Sequence, residues 1–253
     1  MMMAQSGSLA GRTALVTGGS RGIGRAIALQ LGGEGAAVCV NYRSDKSAAD
    51  EVVKAIVDKG GTAYAIQADV SDRSDVERLV ATAKDRLGSI DILVNNAGIG
   101  EMGSVGDTDD ALFDAMMDVN AKGPFLVTRA VLPQMNDGGR IVNISSMVSR
   151  TAYGSCIAYA MSKAAVNHFT VSLAQELGAR GITVNAVCPG ATRTDFNPVL
   201  FEDETIVAQL AQAAALGRIG EPEDIARVVG FLAGPASGWV TGQIIEASGG
   251  MHL

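Results

Sequence analysis

Along most of the chain, short apolar, β-branched runs alternate with longer stretches whose apolar residues recur at helical spacing. The pattern predicts strands at Thr13–Thr17, Ala37–Tyr42, Thr62–Ala68, Ile90–Asn95, Arg140–Ser145, Ile182–Val187 and Gln243–Ala247. Helices are predicted between them, at Gly22–Leu31, Ser47–Lys59, Ser74–Leu87, Ala111–Met135, Ala158–Leu177 and Glu223–Leu232. Ile90-Asp-Ile-Leu-Val-Asn95 and Ile182-Thr-Val-Asn-Ala-Val187 are mostly apolar rather than strictly alternating, which suits a parallel sheet covered on both faces. Glycines at Gly60-Gly61, Gly88 and Gly181 follow helix ends, where a left-handed cap is expected. The alternation points to an α/β fold with a doubly wound, seven-stranded parallel sheet flanked by helices on both faces.

A chain of 253 residues could hold one large α/β domain or two small ones. It has no linker, repeat or low-complexity segment, so residues 1–253 are read as a single domain, with 1–10 a flexible N-terminus. The main irregular stretch, 191–220, is too long for an ordinary connection and is a candidate substrate lid. Net charge is −7 with no Lys/Arg cluster, which argues against nucleic acid or an anionic membrane as partner. Cys39, Cys156 and Cys188 are far apart, and Cys39 and Cys188 sit in strand-like runs that suit buried, inert thiols. With His168 and His252 as the only histidines, no metal site is expected. There is no secretory-type apolar segment at the N-terminus and no run long enough to span a bilayer, so the protein is expected to be soluble and cytoplasmic.

Candidate chemistry begins with Tyr159-Ala-Met-Ser-Lys163. On a helix a phenol and an amine at this spacing share a face. Free tyrosine has a pKa of about 10. A nearby ammonium favours the phenolate and is expected to pull that value towards the working pH, which makes a usable general acid/base for a carbinol oxygen. Alone the pair is weak, because the same spacing is common on helix surfaces. Thr17-Gly-Gly-Ser-Arg-Gly-Ile-Gly24 follows the first strand and opens the first helix. Glycines there let the backbone approach a pyrophosphate, whose charge the helix N-terminus favours. At the end of the second strand a carboxylate would read a ribose 2′-hydroxyl, but this chain has Tyr42-Arg43-Ser44. Arg43, with Arg21 in the glycine turn, supplies charge for a 2′-phosphate, so NADP(H) is preferred over NAD(H).

With those features in place, the chain resembles the short-chain dehydrogenase/reductase family from Gly11 to Met251. The motifs run in the family's order: the Thr17–Gly24 turn, Asp69-Val70, Asn95-Asn96-Ala97-Gly98, Val119-Asn120-Ala-Lys-Gly123, Ile144-Ser-Ser146, Tyr159-x-x-Ser-Lys163 and Pro189-Gly190. The resemblance implies a Rossmann fold, with Tyr159 as acid/base and Lys163 lowering its pKa while holding the nicotinamide ribose. Ser146 would hold the substrate carbonyl, and Asn120 would bind a water that relays protons from Lys163. Ser145 precedes Ser146, and the spacing to Tyr159 favours Ser146. The cofactor set would be Gly18, Ser20, Arg21, Gly22, Ile23, Gly24, Tyr42, Arg43 and Ser44. It would continue through Asp69, Val70, Asn96, Ala97, Gly98, Pro189, Gly190, Thr192 and Thr194.

For the substrate, Met147, Tyr153, Phe196, Val199, Leu200 and Phe201 are apolar or amphipathic, which suits a ketone with a hydrophobic substituent; equally they could only pack the lid. The strand end Asn41-Tyr42, Gly217-Arg-Ile-Gly-Glu-Pro222 and the C-terminal Gly249-Gly250-Met251 resemble the 3-oxoacyl-[acyl-carrier-protein] reductase group and related ketoreductases. Asp137, before the strand that leads to Ser146, has the wrong sign for docking an acidic carrier protein. A broad ketone reductase therefore ranks above a dedicated acyl-thioester reductase. A glucose- or polyol-type dehydrogenase is the runner-up, suggested by Val40-Asn-Tyr-Arg-Ser44. An idle dinucleotide-binding regulator is the alternative of another class, opposed by the presence of all four catalytic candidates. By family analogy the protein is expected to be a homotetramer built on the long central helices and the last strand.

Overall fold

The computed structural model describes residues 7–196 and 199–251, and the side chains of 199 and 200 lie outside that description. Seven parallel strands form one sheet in the order β3-β2-β1-β4-β5-β6-β7. They are β1 (Thr13–Val16), β2 (Ala37–Tyr42), β3 (Ala63–Gln67), β4 (Ile90–Asn95), β5 (Met135–Ile144), β6 (Thr183–Pro189) and β7 (Ile244–Ala247). The helices are α1 (Gly22–Gly33), α2 (Lys46–Val57), α3 (Arg73–Leu87), α4 (Asp110–Met117), α5 (Gly123–Val131), α6 (Ile157–Leu177), α7 (Val199–Glu202), α8 (Glu204–Ala213) and α9 (Pro222–Ala233).

The near-continuous apolar strands β1, β2, β4 and β6 are buried on both faces, while the edge strands β3 and β7 are mostly half-buried. Their alternation sorts side chains into two cores. Ala14, Val16, Val38, Val40, Ile92 and Val94 face α1, α2 and α9, packing with Ile27, Val52 and Val229. Leu15, Cys39 and Leu93 point the other way, towards α3, α5 and α6, where Leu79, Val127 and Leu173 meet them. Burial pushes the Cys39 thiol up to about 12, so it is the inert thiol its strand position suggests.

Three local expectations need correction. Residues 7–10 are not loose: Leu9 is 1% exposed and its N–H donates to the Glu34 carbonyl at 3.0 Å. Residues 1–6 lie outside the described residues. The helix expected over 111–135 is interrupted. α4 passes into a π-helical turn, Asp118–Lys122, before α5 begins at Gly123-Pro124, and Met135 already opens β5. The stretch 191–220 is not irregular throughout, since it contains α7 and α8, with Asp203 accepting a hydrogen bond from the Thr205 N–H at 2.7 Å at the start of α8. Its two ends are held together: Arg193 N–H donates to the Gly220 carbonyl at 2.9 Å and Gly220 N–H to the Ala191 carbonyl at 2.8 Å.

Between β1 and β4 the strand order reverses, and in open α/β sheets ligand sites form at that point, beyond the carboxyl ends of the strands.

Candidate active site

The loops after β1, β2, β4, β5 and β6 surround a cavity of about 420 Å³ at that edge. Of the candidate site residues, every one but Asn120 lines it; the side chains of Val199 and Leu200 lie outside the described residues.

The glycine turn is shaped by contacts that leave no room for side chains. A Cβ on Gly24 would sit 2.1 Å from the Gly18 carbonyl oxygen, and one on Gly18 would sit 2.9 Å from the Ala97 Cα. Asn96 fixes the turn to β4, its side-chain amide donating to the Thr17 and Gly18 carbonyls, both at 3.0 Å. Asn41, at the end of β2, has a positioning role that its place as a strand end does not reveal. Its side-chain oxygen accepts from the Gly18 N–H at 3.2 Å, while its amide donates to the Ala68 carbonyl at 3.1 Å. A polar residue that is 1% exposed within an apolar strand was the signal. The result is an α1 N-terminus with no side-chain cap and no acidic residue in its first turn, a cradle that fits a pyrophosphate. Arg43 and Arg21 both border the cavity and both are exposed. Arg21 already has a partner, Asp195 in the 191–220 segment, at 3.4 Å.

The acid/base candidates come from two elements. Ser146 begins a tight turn after β5, and Tyr159 and Lys163 lie in the first two turns of α6. Ser145, by contrast, is turned to the α6 backbone, donating to the Lys163 carbonyl at 3.2 Å. Lys163 is 4% exposed, and its ammonium donates to the Ile144 carbonyl at 2.9 Å and lies 5.8 Å from the Tyr159 ring centre.

The electrostatics correct the simple expectation for this pair. Burial pushes Tyr159 up to about 12, opposed by a hydrogen bond from the Ser146 hydroxyl. Burial likewise pushes Lys163 down to about 8. Desolvation acts on both groups at once, and the ammonium is held at a carbonyl rather than at the phenol oxygen, so the lowering of the tyrosine is not realised in this state.

Asn120 sits behind the cavity, 0% exposed, on the π-helical turn. Its oxygen accepts from the Ile99 N–H at 2.8 Å, and its amide donates to the Ile99 carbonyl at 2.8 Å and to the Ser162 hydroxyl at 3.0 Å. Ser162 donates in turn to the Tyr159 carbonyl at 2.7 Å. Asn120 thus ties the loop after β4 to the first turns of α6. Ser162, inside the Tyr159-x-x-Ser-Lys163 motif, thereby has a bridging role that the motif's spacing alone does not announce.

A doubly wound parallel sheet, a glycine turn at its switch point, and a serine, tyrosine and lysine converging on the same cavity define a nucleotide-dependent oxidoreductase class. The chain belongs to the short-chain dehydrogenase/reductase family. A family profile described as enoyl-(acyl carrier protein) reductase matches residues 18–252. Versicolorin reductase of Emericella nidulans is 42% identical, with 96% of each chain covered. A 3-oxoacyl-[acyl-carrier-protein] reductase of Staphylococcus aureus is 41% identical over 96% of this chain and 98% of its own. Among solved structures, an angucycline C-6 ketoreductase with bound NADP is 43% identical, with 99% of both chains covered and a TM-score of 0.93.

Proposed function

We propose that this oxidoreductase is an NADP(H)-dependent ketone reductase in which Tyr159 is the general acid. The observation that carries the reading is the convergence of Ser146, Tyr159 and Lys163 on the cavity that also holds the glycine turn. When bound, the nicotinamide cofactor supplies the hydride chemistry. The α1 N-terminus would hold its pyrophosphate, and Arg43 with Arg21 its 2′-phosphate. Asp69 and Val70 would meet the adenine, and Pro189, Gly190, Thr192 and Thr194 the nicotinamide end. Two of the relatives named above, the 3-oxoacyl reductase and the C-6 ketoreductase solved with bound NADP, support the same choice.

The protein's own residues then divide the work. Ser146 donates a hydrogen bond to the carbonyl oxygen and stabilises the charge that develops there. Tyr159, protonated in its buried setting, gives that oxygen a proton. The Lys163 ammonium, close to the ring, favours the phenolate left behind. Asn120 keeps α6 and the Ile99 loop in register, so Tyr159 and the cavity floor share one geometry. Homotetramer formation belongs to the same reading, and the exposed Phe125, Met161 and Val171 on α5 and α6 offer it an apolar face.

Tyr159→Phe removes only the phenol hydroxyl. It is expected to lower kcat by several orders of magnitude with NADPH affinity, followed by nicotinamide fluorescence, nearly intact. Turnover close to wild type would sink the mechanism.

A further inference from the structure

The reductase reading leaves the ketone open, and the wall around Tyr159 narrows it. Phe196, on the lid, is 47% exposed, and its ring centre lies 6.2 Å from that of Tyr159 at an interplanar angle of 47°. It overhangs the proposed acid with aromatic surface still available for contact. Gly100 makes this position possible: a Cβ there would come within 2.7 and 2.8 Å of two ring carbons of Phe196. Another part of the wall is the small apolar cluster of Met147, Ala214 and Met251, with Tyr153 and Leu210 packed against it. Thioether sulfurs and ring faces both favour aromatic partners.

Charge narrows the choice again. The cations that line the cavity are Arg21, Arg43 and Lys163. The first two stand at the glycine turn and the end of β2, and the third is buried beside Tyr159. Around Phe196 the ionisable neighbours along the lining are acidic: Glu101 next to Gly100, and Asp195 next to Phe196 itself. Among the described lining residues the cation that reaches this wall is Arg21, already paired with Asp195 at 3.4 Å. A carboxylate or a phosphodiester there would compete with Asp195 and meet Glu101.

Resting on the reductase reading, we infer that the substrate is an uncharged ketone with a flat aromatic ring system, which lies against Phe196 while its carbonyl meets Ser146 and Tyr159. Anionic ketones, including thioesters on a phosphate-bearing carrier arm, are selected against.

The test uses the full-length protein with NADPH and three ketones: 2-tetralone, its saturated counterpart 2-decalone, and a 2-tetralone with a ring carboxylate. The expected order of kcat/KM is 2-tetralone above 2-decalone, with the carboxylate several-fold below its neutral parent. Phe196→Ala is expected to reduce the tetralone-to-decalone ratio by about 2- to 12-fold, the range for one aromatic contact. Phe196→Tyr, which keeps the ring, should preserve the ratio, and Glu101→Gln should recover part of the carboxylate's loss. An unchanged ratio in Phe196→Ala, or a carboxylated ketone reduced as well as its parent, overturns the inference and leaves the reductase reading standing. Failure of the wild-type protein to reduce any of the three while it binds NADPH overturns both.

Discussion

The ammonium of Lys163 is buried, held by the Ile144 carbonyl, and titrates near 8 instead of its ordinary 10.5. Between about pH 8 and 10.5 the unfolded chain therefore keeps a proton that the folded chain has released, so this residue makes stability rise with pH across that window. Urea midpoints measured from pH 7.5 to 9.5 should show the rise, and Lys163→Met should flatten it. Tyr159 acts in the opposite sense at higher pH, because its raised value makes the folded chain the one that keeps a proton between about 10 and 12. At the other end of the cavity, Arg21 and Asp195 form an exposed pair, and such pairs contribute about 1 kcal/mol or less. Asp195 also lies over the glycine turn, its carboxylate 3.5 Å from where a Gly22 Cβ would be. It is thus a carboxylate standing beside the place an anionic cofactor would take. Asp195→Asn should tighten NADPH binding by up to about fivefold. Arg43→Asp should weaken it by at least about tenfold through loss of a charge-assisted hydrogen bond. Fluorescence titration reads both, and the two changes in the same direction would refute the assignment of this end. The convergence of Tyr159, Ser146 and Lys163 on one cavity could be anticipated because spacing along a helix and across a strand end is written in the sequence. Their ionisation could not, since it depends on how much solvent the fold removes.

At the scale of elements, the glycine turn is the most constrained piece of backbone in the site. Gly24→Ala would drive a methyl into the Gly18 carbonyl and the Asn96 amide, both belonging to the framework of the turn. It is expected to destabilise the protein by about 1–3 kcal/mol and to abolish measurable NADPH binding. Thermal melts and titration together check it, and retention of near-normal binding would show that the turn can re-form around a side chain. This element was legible in advance, because glycine identity and a strand-to-helix junction are local facts. The π-helical turn was not. The apolar pattern over 111–135 is continuous with a single helix, and only the packing of Gly123 near Val70 and the inward pull of Asn120 on Ile99 show why an extra residue is accommodated there. Such turns are frequent at functional sites, and here the turn carries a catalytic candidate. The lid shows a similar limit: α8 has no buried residue, so its helical form leaves little trace in a burial-based pattern.

For the whole molecule, the sheet separates chemistry from anchorage. The site occupies the carboxyl ends of the strands, while at the other end Asp91 is 5% exposed and binds the Thr13 N–H and hydroxyl, both at 2.9 Å, and the Asn136 amide at 2.9 Å. Burial raises its pKa, but the hydrogen bonds from Asn136 and Thr13 and the charge of Arg12 outweigh this and hold it below the usual carboxylate range. A depressed carboxylate stabilises above its unfolded pKa, and the contribution is lost as pH falls through the acid range. Asp91→Ala should cost about 1–3 kcal/mol by leaving buried donors unpaired, with kcat/KM unchanged within error. A matching loss of activity would mean the two ends are coupled. The seven-stranded parallel sheet with helices on both faces followed from hydrophobic patterning, whereas its strand order is seen only in the folded chain. Substrate choice is not legible at that scale, because the proposed determinants are single residues, Phe196 and the Gly100 that makes room for its ring. The seam formed by Ala191, Arg193 and Gly220 places the two feet of the lid side by side. Closing a longer or shorter loop across such a gap costs little, so the segment behaves as an exchangeable cassette. A descendant of this chain could acquire a different lid, and with it a different range of ketones, without disturbing a single strand.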